Sequence, residues 1–143
     1  MDYTAMKLRH LLPVLLLCLP ALVSAETVDS DDLVEREGLY YKKYTDVPFS
    51  GDVDDGLDRG SFKNGKMEGL WVQYWRDDEV LSKCHYKNGE REGLWVEYHE
   101  NGQLRWKGEI KYGEREGPWE SFDEDGTRDS EGSGTYKNGV KVK

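Results

Sequence analysis

Tyr86-Lys87-Asn88-Gly89-Glu90-Arg91-Glu92-Gly93-Leu94-Trp95-Val96-Glu97-Tyr98 is the stretch whose recurrence sets the architecture of this chain. Its second half returns at a fixed interval. Glu68-Gly69-Leu70-Trp71, Glu92-Gly93-Leu94-Trp95 and Glu116-Gly117-Pro118-Trp119 are spaced 24 residues apart. Its first half recurs as Phe62-Lys63-Asn64-Gly65 and Tyr136-Lys137-Asn138-Gly139, with Ile110-Lys111-Tyr112-Gly113 a worn copy. Tyr74, Tyr98 and Phe122 close the segment after each tryptophan. A period this short and regular implies a stacked array of small supersecondary units, and such arrays usually bind rather than catalyse.

Between the glycines the apolar residues alternate, which marks strands and not helices. Leu70, Val72 and Tyr74 fall on one face and Trp71 on the other; Leu94-Trp95-Val96-Glu97-Tyr98 repeats the choice. Turn signals follow at Arg76-Asp77-Asp78-Glu79 and at Glu100-Asn101-Gly102-Gln103, where Asn-Gly offers the positive φ values of a tight hairpin. On the returning strand Leu104, Trp106, Gly108 and Ile110 point one way, and Arg105, Lys107 and Glu109 the other. Each unit reads as two strands and two turns, with the repeated glutamates beside a turn glycine.

A free hairpin is marginal in water, so the units must lean on one another. The spacing predicts one column of Trp71, Trp95 and Trp119 and a second of Phe62, Tyr86, Ile110 and Tyr136. Gly60, Gly108 and Gly134 stand two residues before three members of the second column, where a missing side chain leaves room for a ring; Cys84 holds that place in the remaining unit. Gly38-Leu39-Tyr40-Tyr41 and Val47-Pro48-Phe49-Ser50-Gly51 read as a degenerate first unit, and the lysines from Lys137 to Lys143 as protection of the last edge. The predicted fold is all-β: an elongated twisted sheet of tandem antiparallel β-hairpins over 38–143.

Two segments precede it. Lys7, Arg9 and His10, the apolar run Leu11 to Leu19, and Val23-Ser24-Ala25 have the order of a helical signal peptide over 1–25, cut after Ala25. Residues 26–37 read as an acidic flexible segment. Removing Asp2, Lys7 and Arg9 takes the formal charge from −9 to −10. That acidity argues against nucleic acid, whose phosphates need clustered Lys and Arg, and against anionic lipid headgroups. Cys18 leaves with the leader, so Cys84 stands alone and packing must hold the fold together in an oxidising compartment. The expectation is an exported protein, periplasmic or secreted, without stable membrane insertion after cleavage.

The pattern Tyr/Phe-Lys-Asn-Gly-x-x-x-Gly-Leu-Trp-x-x-Tyr-x-x-Asn-Gly-x-Leu resembles the bacterial variant of the MORN repeat. Leu39-Tyr40-Tyr41 through Val47-Pro48-Phe49-Ser50-Gly51 is similar to the start of YwqK-type antitoxin proteins. The resemblance covers about residues 38 to 143. It implies an elongated sheet of hairpins and a protein-interaction role, with YwqK-type members proposed to neutralise a partner toxin.

Chemistry-bearing clusters are few. Asp52, Asp54, Asp55 and Asp58 miss the EF-hand frame, because Gly56 stands fifth from Asp52 where the loop needs glycine sixth; they read as a solvated turn. Cys84 and His85 are strand neighbours that leave opposite faces, and His99 is the remaining histidine after the leader, so no metal set or nucleophile pair forms. Glu68, Glu92 and Glu116 share one environment, unlike an acid–base pair, and read as partners of Lys66, Arg91 and Arg115. With no phosphate loop, catalytic triad or cofactor motif, no enzyme and no cofactor are expected. The aromatics remain: Trp71, Trp75, Trp95, Trp106, Trp119, Tyr74 and Tyr98 are the candidate binding face, because Trp and Tyr are enriched at protein contacts. The function expected is binding of a protein partner, a basic toxin or an envelope protein; the alternative is a glycan or peptidoglycan module.

Overall fold

A computed structural model describes residues 25–143, and the expected leader lies outside the described residues but for Ala25. The strands are β1 (Thr27–Val28), β2 (Leu33–Arg36), β3 (Leu39–Lys42), β4 (Gly51–Asp54), β5 (Asp58–Lys63) and β6 (Lys66–Tyr74). They continue with β7 (Val80–Lys87), β8 (Glu90–Tyr98), β9 (Leu104–Lys111), β10 (Glu114–Ser121), β11 (Gly134–Lys137) and β12 (Val140–Lys141). From β4 to β12 each strand pairs with the next in chain order, all antiparallel, and β1 lies parallel against the free side of β4. Strands β2 and β3 form a hairpin of their own. The described residues are nearly all β, as their alternation predicts.

The acidic stretch 26–37 contains β1, a 3₁₀ turn and β2. Val28 is buried in the core beside Val53, and a 3₁₀ turn over Ser30–Asp32 carries the chain to Leu33.

Asn64-Gly65, Asn88-Gly89, Tyr112-Gly113 and Asn138-Gly139 all have positive φ at both residues, the type I′ geometry whose twist matches paired strands. The Asn101-Gly102 turn differs. Only Gly102 has positive φ there, and Asn101 accepts the Gln103 N–H on its side chain, 3.0 Å away. Asp77 and Asp125 accept the N–H two residues on in the same way, so the 24-residue period at these turns is a side-chain-capped loop and not a tight hairpin.

Gly69, Gly93 and Gly117 are not turn residues. They lie within β6, β8 and β10 with φ of 78°, 90° and 71°, at bulges. Between the pairs Glu68↔Ser61 and Val72↔Arg59, three residues of β6 face Gly60; between Glu116↔Glu109 and Glu120↔Lys107, three residues of β10 face Gly108. A bulge leaves ladder groups unpaired. Here the indole completes the pattern: Trp71 Nε1 donates to Ser61 O at 3.2 Å, and Trp119 Nε1 to Glu109 O at 3.0 Å. Each ring lies over its facing glycine so closely that a Cβ on Gly60 or Gly108 would overlap it. Gly134, expected to do the same, faces Lys141 and Lys143. The last unit is two residues longer, since Glu116 reaches Asn138 across 22 residues where Glu68 reaches Asn88 across 20.

The rings do not form two columns. Phe62–Trp71 and Trp71–Tyr86 meet edge to face at 5.2 and 6.1 Å, and Trp106–Trp119 and Trp119–Tyr136 at 6.3 and 6.2 Å. Tryptophans therefore alternate with the rings of neighbouring strands, a geometry the aromatic quadrupole favours. Two core clusters result, one around Phe62 and Trp71 and one around Ile110, Trp119 and Tyr136. The glutamates stitch consecutive units. Glu68 Oε2 accepts the Asn88 N–H at 2.8 Å, Glu92 that of Tyr112 at 3.4 Å and Glu116 that of Asn138 at 3.0 Å. The expected pairing with Lys66, Arg91 and Arg115 is replaced by this contact, because a turn N–H needs an acceptor and the carboxylate is within reach.

Gly108→Ala is expected to lower stability by about 2–3 kcal/mol, as overpacking does, read as a reduced urea midpoint with Trp119 fluorescence shifted toward solvent. Tyr112→Asn has the opposite sign. Tyr112 occupies the left-handed region at φ 52°, costly for a ring-bearing residue, and asparagine should raise stability by about 1 kcal/mol and the melting temperature with it.

Candidate functional site

One unit departs from the indole-over-glycine arrangement, and the departure opens a cleft. Cys84 stands where Gly60 and Gly108 stand, and it pairs across the ladder with Trp95. Its Sγ lies 3.3 Å from His85 O, the carbonyl that an indole would have taken by analogy with Ser61 and Glu109. The thiol thus fills the seat of the ring and takes over its acceptor. Trp71 and Trp119 are 7% and 2% exposed, whereas Trp95 is only half-buried. In front of it lies a half-open cleft of ≈ 270 Å³.

Trp71, Tyr86, Cys84 and Trp95 line the apolar part of this cleft together with Val53, Phe62 and Met67. A polar wall crosses three strands: Ser82 Oγ donates to Gln73 Oε1 at 3.1 Å, and Gln73 Nε2 donates to Asp58 Oδ1 at 2.8 Å. Ser30, Leu33 and Tyr40 cover the first unit's side of the opening. The cover is tied down through Asp55, whose carboxylate accepts the Ser30 hydroxyl and the N–H groups of Leu57 and Asp58. Burial would raise the Asp55 pKa, but these donors outweigh it and hold the carboxyl below its ordinary value. Burial, followed by the Glu35 carboxylate, raises the Tyr40 hydroxyl. Arg91 donates from Nε to the Tyr86 hydroxyl at 3.0 Å and sets its guanidinium 5.0 Å from the Trp95 ring centre.

The seven candidate aromatics separate. Trp71 and Trp95 meet at the cleft. Trp106 and Trp119 pack together in the second cluster, with the Arg115 guanidinium 4.3 and 4.6 Å from their ring centres. Tyr74 lies beside the Arg59 guanidinium at 5.3 Å, and Tyr98 ends β8, half-buried. Trp75 follows β6 with its indole N–H buried and unpartnered among the described residues. Gln73 and Ser82 escaped the sequence reading, and Asp58 entered it only as part of a solvated turn. The available signal was the contrast at one repeat position, Asp58, Ser82 and Trp106, each 24 residues from the next. Of the four turn aspartates three hold the fold: Asp54 pairs with Arg59 at 3.0 Å, Asp52 accepts from Ser61 and Asp55 ties down the cover, while Asp58 stands in the cleft wall.

Cys84 is 3% exposed, and burial pushes its thiol pKa up, with the Arg91 charge opposing in part. Folded protein should therefore react with a thiol reagent at least tenfold more slowly than the same protein in urea. Because the folded thiol ionises at higher pH than the unfolded one, stability falls as pH rises through the unfolded thiol's range. Cys84→Gly should restore the Trp95 contact with His85 O, blue-shift Trp95 emission and narrow the cleft.

The family model described as MORN repeat variant matches residues 67–88 and 91–111. No curated protein and no solved structure matches the chain. The matched segments run from β6 into the turn after β7, and from β8 through β9. The two matched segments thus have the form of MORN-variant repeats, each a bulged strand followed by a returning strand, with the tryptophan seated in the first and displaced by Cys84 in the second.

Proposed function

We propose that the protein is a non-enzymatic binding protein that recognises a basic protein partner with its tryptophan face. The supporting observation is the cleft at Trp71 and Trp95, half-covered by a segment in which Glu26, Asp29, Asp31, Asp32, Glu35 and Glu37 stand against Arg36 alone. An apolar seat under a negative rim suits a cationic partner, because complementary charge steers encounter and rejects acidic competitors. The resemblance to YwqK-type antitoxins, and a leader of secretory pattern, support a finer reading. In that reading the protein is exported to the periplasm or beyond and neutralises a toxin there as an immunity-type partner does.

The histidines carry no part of this role. His85 is exposed, and His99 is engaged with Phe122 O at 2.8 Å. The test is co-purification with the products of adjacent genes, followed by calorimetry of the reconstituted pair. A one-to-one complex whose affinity drops at least tenfold between 50 and 300 mM salt, on the order expected for screened charge pairs, is the expected result. His85→Ala and His99→Ala should bind as wild type. Failure of every neighbouring product to bind, or co-sedimentation with peptidoglycan in their place, overturns the reading.

A further inference from the structure

The third unit of the array contains a filled version of the second unit's cleft. Asp58↔Gln73, Gln73↔Ser82, Ser82↔Glu97, Glu97↔Trp106 and Trp106↔Ser121 are successive cross-strand pairs, so these residues form one continuous row. Within it, Asp58, Ser82 and Trp106 are equivalent by repeat. Trp106 lays its indole edge to face against Trp119 at 6.3 Å, and Arg115 stacks over both rings and over Tyr136 at 5.3 Å. Ser82 sends no ring toward Trp95, and Asp58 none toward Trp71. The volume an indole takes at one end of the row is open at the other.

Resting on the binding role above, we propose that this cleft receives one tryptophan side chain of a partner polypeptide, flanked by Lys or Arg. The entering indole takes the position at Trp95 that Trp106 takes at Trp119. Three features fit that occupant. The volume of ≈ 270 Å³ lies just under the range of about 300–1,000 Å³ typical of small-molecule pockets, which suits a single side chain. Asp58 is half-buried, gives only Oδ1 to Gln73 and joins no ion pair among the described residues, so Oδ2 is free to accept an indole N–H or a cation. Arg91 stands where Arg115 stands in the third unit and lies 5.0 Å from the Trp95 ring centre, so an indole entering beside Trp95 meets the equivalent of the guanidinium that Trp106 meets at Trp119. The acidic cover adds the matching charge.

The probes are the blocked peptide Lys-Trp-Lys, its Lys-Ala-Lys control and N-acetyltryptophanamide, titrated into the isotopically labelled protein and followed by amide and indole resonances. The expected result is saturable movement of the Trp95 and Trp71 indole signals and the Cys84 amide, at about millimolar affinity for ligands this small. Lys-Ala-Lys should leave those signals in place. Ser82→Trp, which writes the third unit's occupant into the second, should weaken Lys-Trp-Lys at least tenfold with the Trp119 and Tyr136 resonances unmoved. Ser82→Leu serves as a smaller plug should the larger one disturb folding. Asp58→Asn should weaken Lys-Trp-Lys about fivefold and N-acetyltryptophanamide less than twofold. Absence of saturable movement in the wild type, or undiminished binding by folded Ser82→Trp or Ser82→Leu, overturns the inference. A protein partner held equally by wild type and Ser82→Trp removes the cleft inference alone. Peptide binding with no protein partner among the neighbouring products removes the wider reading alone.

Discussion

An indole seated over a glycine, donating to a carbonyl that a bulge has left without its ladder partner, is the contact on which the rest of this sheet depends. Three requirements meet in it. The bulged strand needs a residue at positive φ, which Gly69 and Gly117 supply. The facing strand needs no side chain, which Gly60 and Gly108 supply. The exposed carbonyls of Ser61 and Glu109 need a donor, and the Trp71 and Trp119 N–H groups provide it. A buried tryptophan without such a partner would bear an unsatisfied polar group. Here burial of the ring and repair of the ladder are one event, which is why the spacing between glycine and tryptophan does not drift.

The same logic explains how one residue converts packing into a site. Cys84 is small enough to be buried, yet too large to let Trp95 descend as its counterparts do. Its thiol takes the acceptor at His85, so no orphan remains to draw the indole inward. Trp95 is left at the mouth of a cleft that exists because Ser82, two residues earlier, sends nothing to cover it. Neither residue looks functional in isolation. Cys84 would be inert by its burial and its raised pKa, and Ser82 is an ordinary buried hydroxyl with one partner.

The repeat, the strand identity and the type I′ turns were legible in the sequence because each has a local cause: alternation, or an Asn-Gly pair that tolerates positive φ. The bulges were not. Glu-Gly-Leu-Trp has the composition of a turn, and only the register of β5 against β6 shows that Gly69 interrupts a strand without ending it. The glutamates were misassigned for a related reason. Arg91 and Arg115 are near in sequence, but they go to ring faces, while the carboxylates reach a turn about 20 residues on that no local rule connects to them. The cleft needed two comparisons made together, cysteine against glycine and serine against tryptophan, at positions whose shared row is visible only once strands are paired.

An array of like units has a difficulty that a globular domain lacks: every unit offers the same surface, so nothing distinguishes one binding register from the next. Here the two ends are made unlike. The C-terminal half is closed by its own side chains, with Trp106, Arg115 and Tyr136 enclosing Trp119, and with Gly132 lying so close under Trp106 that even a Cβ there would clash. The N-terminal half is open and carries the acidic cover, held in place by the parallel β1–β4 pairing and the Asp55 contacts. On the proposed role, a partner moving along the sheet would meet one register where a ring can enter beside negative charge, and a filled seat 24 residues further on. Specificity in such a sheet comes as much from the seats the chain fills itself as from the one it leaves free.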